Sequence, residues 1–437
     1  MTGRNKIEKS LFELIQVAVG NQSALSSVPT QQEWQQLYGL LSKHTLLGIG
    51  YVAIQKLPQE QWPPKMLVLK WTCVANAISH QNKTLNEECK SLCDEFRHEG
   101  VASVVIKGQS NLENYPEELR WYRTPGDIDL WCQARNGVEI GEMVNGEVVK
   151  SEFHGIAGVI EYCKQYERCR GRDIPWHRVL YYHCELKSDN GIAIEPHYRI
   201  SYLHSPVRNH RLQKWFKNHF DICLQNKCQL GFPVLTSSVN VVYQLVHLYR
   251  HVFEGGVGLR QLMDYYFALR VWHNDVMECK DLQSQGMWSE GLGTPVMSKE
   301  EVMAVLRSFG MGKFAGAVMW VLNEVFFKNE ECRMKNEEWV LNEECRMKNE
   351  EWPAELEPWM ICEPNEKEGK KLLEEIMKGG NFGQYDNRDA ALKNGGMVKH
   401  GVWKLKRVMR LVRSYPEEAL WEPVFRVWHL IWRIAHR

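Results

Sequence analysis

Apolar residues recur at helical spacing through residues 1–99 and again from about residue 206 onward, and both stretches read as helical. Near the start, Leu11, Leu14, Ile15 and Ala18 repeat every three or four positions with charges between them. That predicts an amphipathic helix and not a secretory signal. Before Gly100, Leu85, Cys89, Leu92 and Phe96 form one apolar stripe, and the glycine stands where a helix C-cap favours one. In the second stretch, "SSVNVVYQLVHLYRHVF" and "GLRQLMDYYFALRVW" predict two strong helices joined by "EGGVG".

Between residues 101 and 200 the pattern changes. "VASVVIK" (101–107) is a short β-branched run that predicts a buried strand, and "DIDLWC" (127–132) predicts a second. "YYHCELKSDNGIAIEPHYRI" (181–200) predicts a hairpin closed by a two-residue Asn190-Gly191 turn. Residues 133–180 show a Gly-rich stretch and a helix around "GVIEYCKQYERC". The expected fold class is therefore α+β. It has an N-terminal helical region (1–99), a small mixed β-sheet core (100–205) and a helical C-terminal region (206–437).

The C-terminal region carries a tandem repeat, "NEECRMKNEEW" at 329–339 and again at 342–352. A 13-residue shift turns an ideal helix through about 220° net, so Trp339 and Trp352 would not share a face. The repeat reads as a recent duplication in a solvated segment. The tail 401–437 holds eight Lys/Arg against three Glu and reads as packing helices with a basic solvated face. Contact of that face with RNA, an acidic partner or a membrane surface is the functional alternative.

Composition narrows the field without naming a function. Lys+Arg and Asp+Glu both number 54, so overall charge does not point to nucleic acid. The 13 cysteines show no C-x-x-C spacing, which removes the usual zinc half-site and favours reduced thiols in a cytoplasmic protein. No uninterrupted apolar run approaches the roughly 20 residues of a membrane span.

The chemistry lies in the second strand. Residues i and i+2 of a strand point to one side, so Asp127 and Asp129 aim two carboxylates at one point while Ile128 and Leu130 face the core. Two like charges so placed repel unless a proton or a cation lies between them, and Mg²⁺, a hard ion that takes oxygen ligands, fits. A strand end dipping into solvent is the plainer reading of the pair taken alone. Neighbouring residues strengthen the metal reading. Lys107 offers a point charge for phosphate, and Gly108 permits close backbone approach. Arg123 and Gly126 flank the acidic pair and are expected at the nucleotide, the cation lying near for an anionic substrate, and Glu195 on the second hairpin strand would complete a site for one or two Mg²⁺ ions.

Other candidates are less specific. His183 and His197 sit on the two hairpin strands, and His197 is expected on the face of Glu195, either orienting that carboxylate or as a polar sheet residue. Arg260 follows the "GGVG" turn and either pairs with Asp264 at i, i+4 or reaches a triphosphate. His247 and His251, four apart on a helix, read as core histidines for want of a third ligand.

"VVIKG…NYPEELRWYRTPGDIDLW" followed by "YYHCELKSDNGIAIEPHYRI" resembles the uncharacterised nucleotidyltransferase family of the DNA polymerase β-like nucleotidyltransferase superfamily. The likeness extends into "HLYRHVFEGGVGLRQLMDYY" (247–266) and "LLEEIMKGGNFGQYD" (372–386). It implies a small mixed sheet on which Asp127, Asp129 and Glu195 hold Mg²⁺ for nucleotidyl transfer from an NTP to an unnamed acceptor, with Lys107 and Gly108 at the phosphate turn. Gly108-Gln109 departs from the superfamily's usual Gly-Ser or Gly-Gly, and the interval to the first Asp is longer than usual. Two other readings stay open: a nucleotide-binding or interaction module without chemistry, and a metal-dependent phosphoesterase.

Overall fold

The computed structural model describes residues 6–144, 147–284, 296–327, 357–386, 388, 390–393 and 396–435. The tandem repeat at 329–352 lies outside the described residues. Helices α1 (Lys6–Val19), α2 (Gln31–Lys43), α3 (Leu47–Lys56) and α4 (Lys65–His98) precede the sheet. Thr30 opens α2 with a capping box, its hydroxyl accepting from the Glu33 N–H while the Glu33 carboxylate accepts from the Thr30 N–H. Gly100, at φ +84°, ends α4 as its position promised.

Helix α1 departs from a simple amphipathic surface helix: every residue from Ser10 to Ala18 is buried. Its polar side chains are absorbed by distant backbone. Gln16 donates to the Val325 carbonyl at 3.1 Å, and Asn21, just past the helix, donates to that of Phe326 at 2.8 Å. The first helix is thereby stitched to α11 (Gly312–Phe326). Burial of these groups carries little penalty because each finds a partner.

Helix α4 runs 34 residues, about 51 Å at 1.5 Å per residue, and serves two cores. Trp71 packs with α1–α3 and the C-terminal helices, whereas Leu85, Cys89, Leu92 and Phe96 pack under the sheet. The sheet contains β1 (Val101–Val105), β2 (Ile128–Val144), β3 (Glu147–His154), β4 (Leu186–Lys187) and β5 (Ala193–His197), with helix α5 (Glu117–Arg120) ahead of β2 and α6 (Gly155–Arg168) after β3. Its order is β1-β2-β5-β4, with β3 also paired to β2. Strand β2 is antiparallel to β1 and parallel to β5, so the sheet is mixed as expected.

Two parts of the sheet differ from the sequence reading. Strand β2 runs on to Val144, and its residues 138–144 pair antiparallel with residues 147–153 of β3. Gly137, at φ +78°, lies between the last residue paired to β1 (Ala134) and the first paired to β3 (Val138). A left-handed residue inside a strand suits glycine, and it allows the change of partner that hid the strand's continuity in the sequence. The 181–200 hairpin is shorter than predicted and turns through five residues, closing on Lys187↔Ala193. A two-residue Asn190-Gly191 turn would have placed Tyr198 opposite His183; the observed register places His197 there.

After the sheet come α7 (Pro206–Gln225), α8 (Ser237–Glu254), α9 (Leu259–Ser284), α10 (Lys299–Ser308) and α11, then helices Glu366–Gly379, Met397–Leu411 and Pro416–Ala435. The last helix packs on the hairpin, where its His429 accepts a hydrogen bond from the Tyr181 N–H at 3.1 Å. No described helix is long and apolar enough to cross a membrane.

His44, after α2, is fully buried and accepts from the Leu259 N–H at 3.4 Å, so burial pushes its imidazole down to about 3. Unfolded, it titrates near 6.5, so below that pH the unfolded chain takes a proton that the native His44 refuses. This contribution is fully present above pH ~6.5 and declines at about 1.4 kcal/mol per unit as pH falls toward 3. Urea denaturation between pH 6 and 5 should show that slope reduced by one proton's worth in His44→Gln; an unchanged slope would contradict a neutral native His44.

Candidate active site

Strand β1 ends at Val105, and Lys107 is the last extended residue before a tight turn opened by Gly108 at φ +61°. A Cβ on Gly108 would stand 3.5 Å from the Asp127 carbonyl oxygen, so there is room, and the left-handed φ is what selects glycine. The Ile106 N–H donates to the Asp129 carbonyl at 3.1 Å, which registers this turn against the acidic strand.

The side-chain alternation of β2 does what i, i+2 spacing dictates. Ile128 and Leu130 are buried in the apolar cluster with Ile194, while Asp127 and Asp129 face the cleft. Parallel pairing sets Asp129 directly beside Glu195. One oxygen from each of Asp127, Asp129 and Glu195 lies within 4.8 Å of the other two. Asp127 is 39% exposed at its side chain, Glu195 23% and Asp129 0%.

Cationic groups hold this charge in place. Lys107 Nζ is 2.8 Å from Asp129 Oδ1 and 4.0 Å from Asp127 Oδ2. Burial works against its charge, but Asp127, Asp129 and Glu195 outweigh it and hold the ammonium well above its usual pKa. His197 Nε2 is 3.0 Å from Asp129 Oδ1 and 3.4 Å from Glu195 Oε2. Burial opposes its protonation, and the hydrogen bonds to both carboxylates prevail and raise its pKa. Glu195 is correspondingly lowered: burial resists ionisation, and Lys107 and His197 overcome it. His183, stacked on His197 at 4.9 Å, is driven well below the usual range by burial and then by His197 and Arg250.

The donor set suits a hard divalent cation: three carboxylates converge from adjacent strands, and Asp129 Oδ2 is buried without a hydrogen-bond partner among the described residues. A carboxylate oxygen left so is costly in a protein interior unless a cation faces it. These residues therefore fit Mg²⁺.

A family model described as an uncharacterised nucleotidyltransferase matches residues 30–286, more than half of the chain. The chain belongs to the uncharacterised nucleotidyltransferase family. Neither the curated proteins nor the solved structures yield a match. The family's description gives the general reaction class, nucleotidyl transfer, and the acidic cluster lies within the matched span.

The remaining residues of this candidate site divide into those facing the cleft and those bracing it. The cleft is bordered by Lys107, Gly108, Asp127, Asp129, Arg260 and Phe382 among others. Arg123 braces it. Its guanidinium meets Asp264 in a buried fork at 2.6 and 2.7 Å, and the Tyr115 hydroxyl donates to the same carboxylate at 2.6 Å. Asp264 therefore pairs with Arg123, 141 residues away, and not with Arg260 one helical turn before it. Arg260 donates to the Thr124 carbonyl at 2.8 Å, beneath Gly126, whose Cβ position lies 3.9 Å from its Nη1. Its Nε is buried without a partner among the described residues.

Asn82 was missed in the sequence. On α4, it donates to the Trp121 and Arg123 carbonyls at 2.9 and 2.8 Å, fixing the loop that leads into the acidic strand. Gln109, after the Gly108 turn, points back at α4 and donates to Asn86 Oδ1 at 2.7 Å. Nothing local marks either residue, since the partner segments are 23 to 41 positions apart. His247 borders the cleft beside His251, and burial holds both rings neutral, His251 at about 3.

Proposed function

We propose that this chain transfers an NMP group from an NTP to an acceptor hydroxyl or other nucleophile, with release of pyrophosphate. Asp127, Asp129 and Glu195 hold Mg²⁺ in this reading. The observation that carries it is the convergence of those three carboxylates on one point of the cleft, with the buried Asp129 Oδ2 unpartnered among the described residues. Mg²⁺ bound there would supply charge for the attacking oxygen and for the departing pyrophosphate. His197 orients Asp129 and Glu195 from the protein side, so neither carboxylate spends rotamer freedom when substrate arrives. Lys107, 2.8 Å from Asp129, would offer its ammonium to the phosphates, and the left-handed turn at Gly108 would let the backbone approach them closely. Arg260, on the cleft wall, would meet the triphosphate in this reading.

The test is incubation with Mg²⁺, each α-labelled NTP and fractionated lysate. Label moving to an acceptor with equimolar pyrophosphate is expected. Release of phosphate or free nucleotide without transfer would instead make the protein a phosphoesterase. One observation favours a second reading, a nucleotide-binding module without chemistry: Lys107 already neutralises Asp129 at 2.8 Å. NTP binding with no pyrophosphate released across the acceptor fractions would support that alternative.

A further inference from the structure

Among the described residues, the backbone leaves the right-handed half of the map at two non-glycine positions, Thr45 and Phe382. Phe382, at φ +50° and ψ +26°, is the bulkier and the less expected. It lies outside the span matched by the family model yet borders the same cleft as Lys107, Asp127 and Asp129. An aromatic residue held in the left-handed region persists only where its surroundings enforce it.

The surroundings are two glycine-rich loops that interlock. "GGNFG" (379–383) lies against the "EGGVG" turn (254–258) between α8 and α9. A Cβ on Gly255 would stand 2.8 Å from the Phe382 carbonyl oxygen, and one on Gly256 would stand 3.0 Å from the Gly383 nitrogen. A Cβ on Gly383 would collide with the Gly255 carbonyl. The two backbones touch because neither carries a side chain, and the contact fixes the Phe382 ring over the cleft with 36% of its surface exposed.

That ring ends a row. Tyr243, His247 and His251 follow one face of α8 at i, i+4 and i+8, with centroids 5.8 and 4.3 Å apart, and His251 lies 4.9 Å from Phe382. Both histidines are neutral rings in the burial of that wall. One side of the cleft thus presents carboxylates and cations, and the other ends in an uncharged aromatic face open to solvent. The carboxylates and cations suit the metal-bound phosphates of a nucleotide, and an exposed aromatic ring suits its flat base.

We propose that Phe382 is the platform on which the base of the incoming NTP stacks, a subsite that rests on the nucleotidyl-transfer reading. Stacking is tolerant of base identity because every base has a π-face, so discrimination among the four NTPs by Phe382 is expected to be weak. Binding of each NTP and of inorganic tripolyphosphate, by calorimetry with Mg²⁺ and no acceptor, separates the base from the phosphates. The wild-type protein should bind NTPs more tightly than tripolyphosphate. Phe382→Ala should lose about tenfold in NTP affinity, the size of one modest base–aromatic stack. Its tripolyphosphate affinity should be unchanged, and Phe382→Tyr should bind NTPs as the wild type does.

Phe382→Asn guards against misfolding, because Asn tolerates the left-handed region and the variant should melt no lower than Phe382→Ala. It should still lose the NTP preference. NTP affinity at the wild-type level in both Phe382→Ala and Phe382→Asn would overturn the platform alone. A wild-type protein that binds neither NTP nor tripolyphosphate would overturn the nucleotidyl-transfer reading and the platform with it.

Discussion

Asp127→Asn is expected to remove nucleotidyl transfer while leaving the fold intact, and Asp129→Asn to remove transfer and weaken the fold as well. Loss of one ligand carboxylate takes away charge stabilisation worth several kcal/mol, so a rate loss of about 10³-fold or more is expected for either. Their stabilities should diverge because their surroundings do. Asp127 is 39% exposed and meets Lys107 only at 4.0 Å, an interaction that water screens. Asp129 is fully buried and accepts from both Lys107 at 2.8 Å and His197 at 3.0 Å. Removing one partner of a buried ion pair strands the other charge and costs about 3–5 kcal/mol, of which the slight exposure of Lys107 returns a part. Urea denaturation of both variants checks this, and adding Lys107→Met to Asp129→Asn should restore part of the loss. Equal stability of the two single variants would contradict the burial argument.

Arg123→Ala should produce the largest loss of stability of any single change near the site. The Arg123–Asp264 fork is buried at both ends, with side-chain exposures of 4% and 6%, and Tyr115 donates to the same carboxylate. Deleting the guanidinium leaves the buried Asp264 carboxylate without its bidentate partner, so about 3–5 kcal/mol is expected. The loop carrying Asp127 hangs from this fork, because the Arg123 backbone carbonyl is also held by Asn82 at 2.8 Å. Catalysis should therefore fall through misplacement of Asp127 even under conditions where the variant stays folded. Replacing both partners, Arg123→Met with Asp264→Leu, should be less destabilising than Arg123→Ala, since no charge is left alone. A loss below about 1 kcal/mol in Arg123→Ala would sink this account.

What the sequence could reveal followed the reach of local pattern. The i, i+2 spacing placed Asp127 and Asp129 on one face because strand geometry alone decides it. The β-branched run before Lys107 and the apolar flanks of Glu195 gave the two strands that bracket them. The mixed sheet between helical regions was legible for the same reason. Hairpin register was less so: Asn190-Gly191 suggested a two-residue turn, but the strands close at Lys187↔Ala193, and that choice sets His183 against His197. The continuation of β2 past Gly137 was masked by the very glycine that permits it. Pairings between distant segments left no local mark at all. The choice of Arg123 over Arg260 by Asp264, the hold of Asn82 on the acidic loop and the placing of Phe382 over the cleft all depend on how helices pack.

The central claim is that Asp127, Asp129 and Glu195 form one site for a divalent cation bound with nucleotide. Mn²⁺ binding, followed by electron paramagnetic resonance with a non-hydrolysable NTP analogue, addresses it without needing the acceptor. Tight, nucleotide-dependent Mn²⁺ binding is expected of the wild-type chain, and its loss is expected in the folded Asp127→Asn/Glu195→Gln double variant. Mn²⁺ binding of equal strength in the two proteins would contradict it.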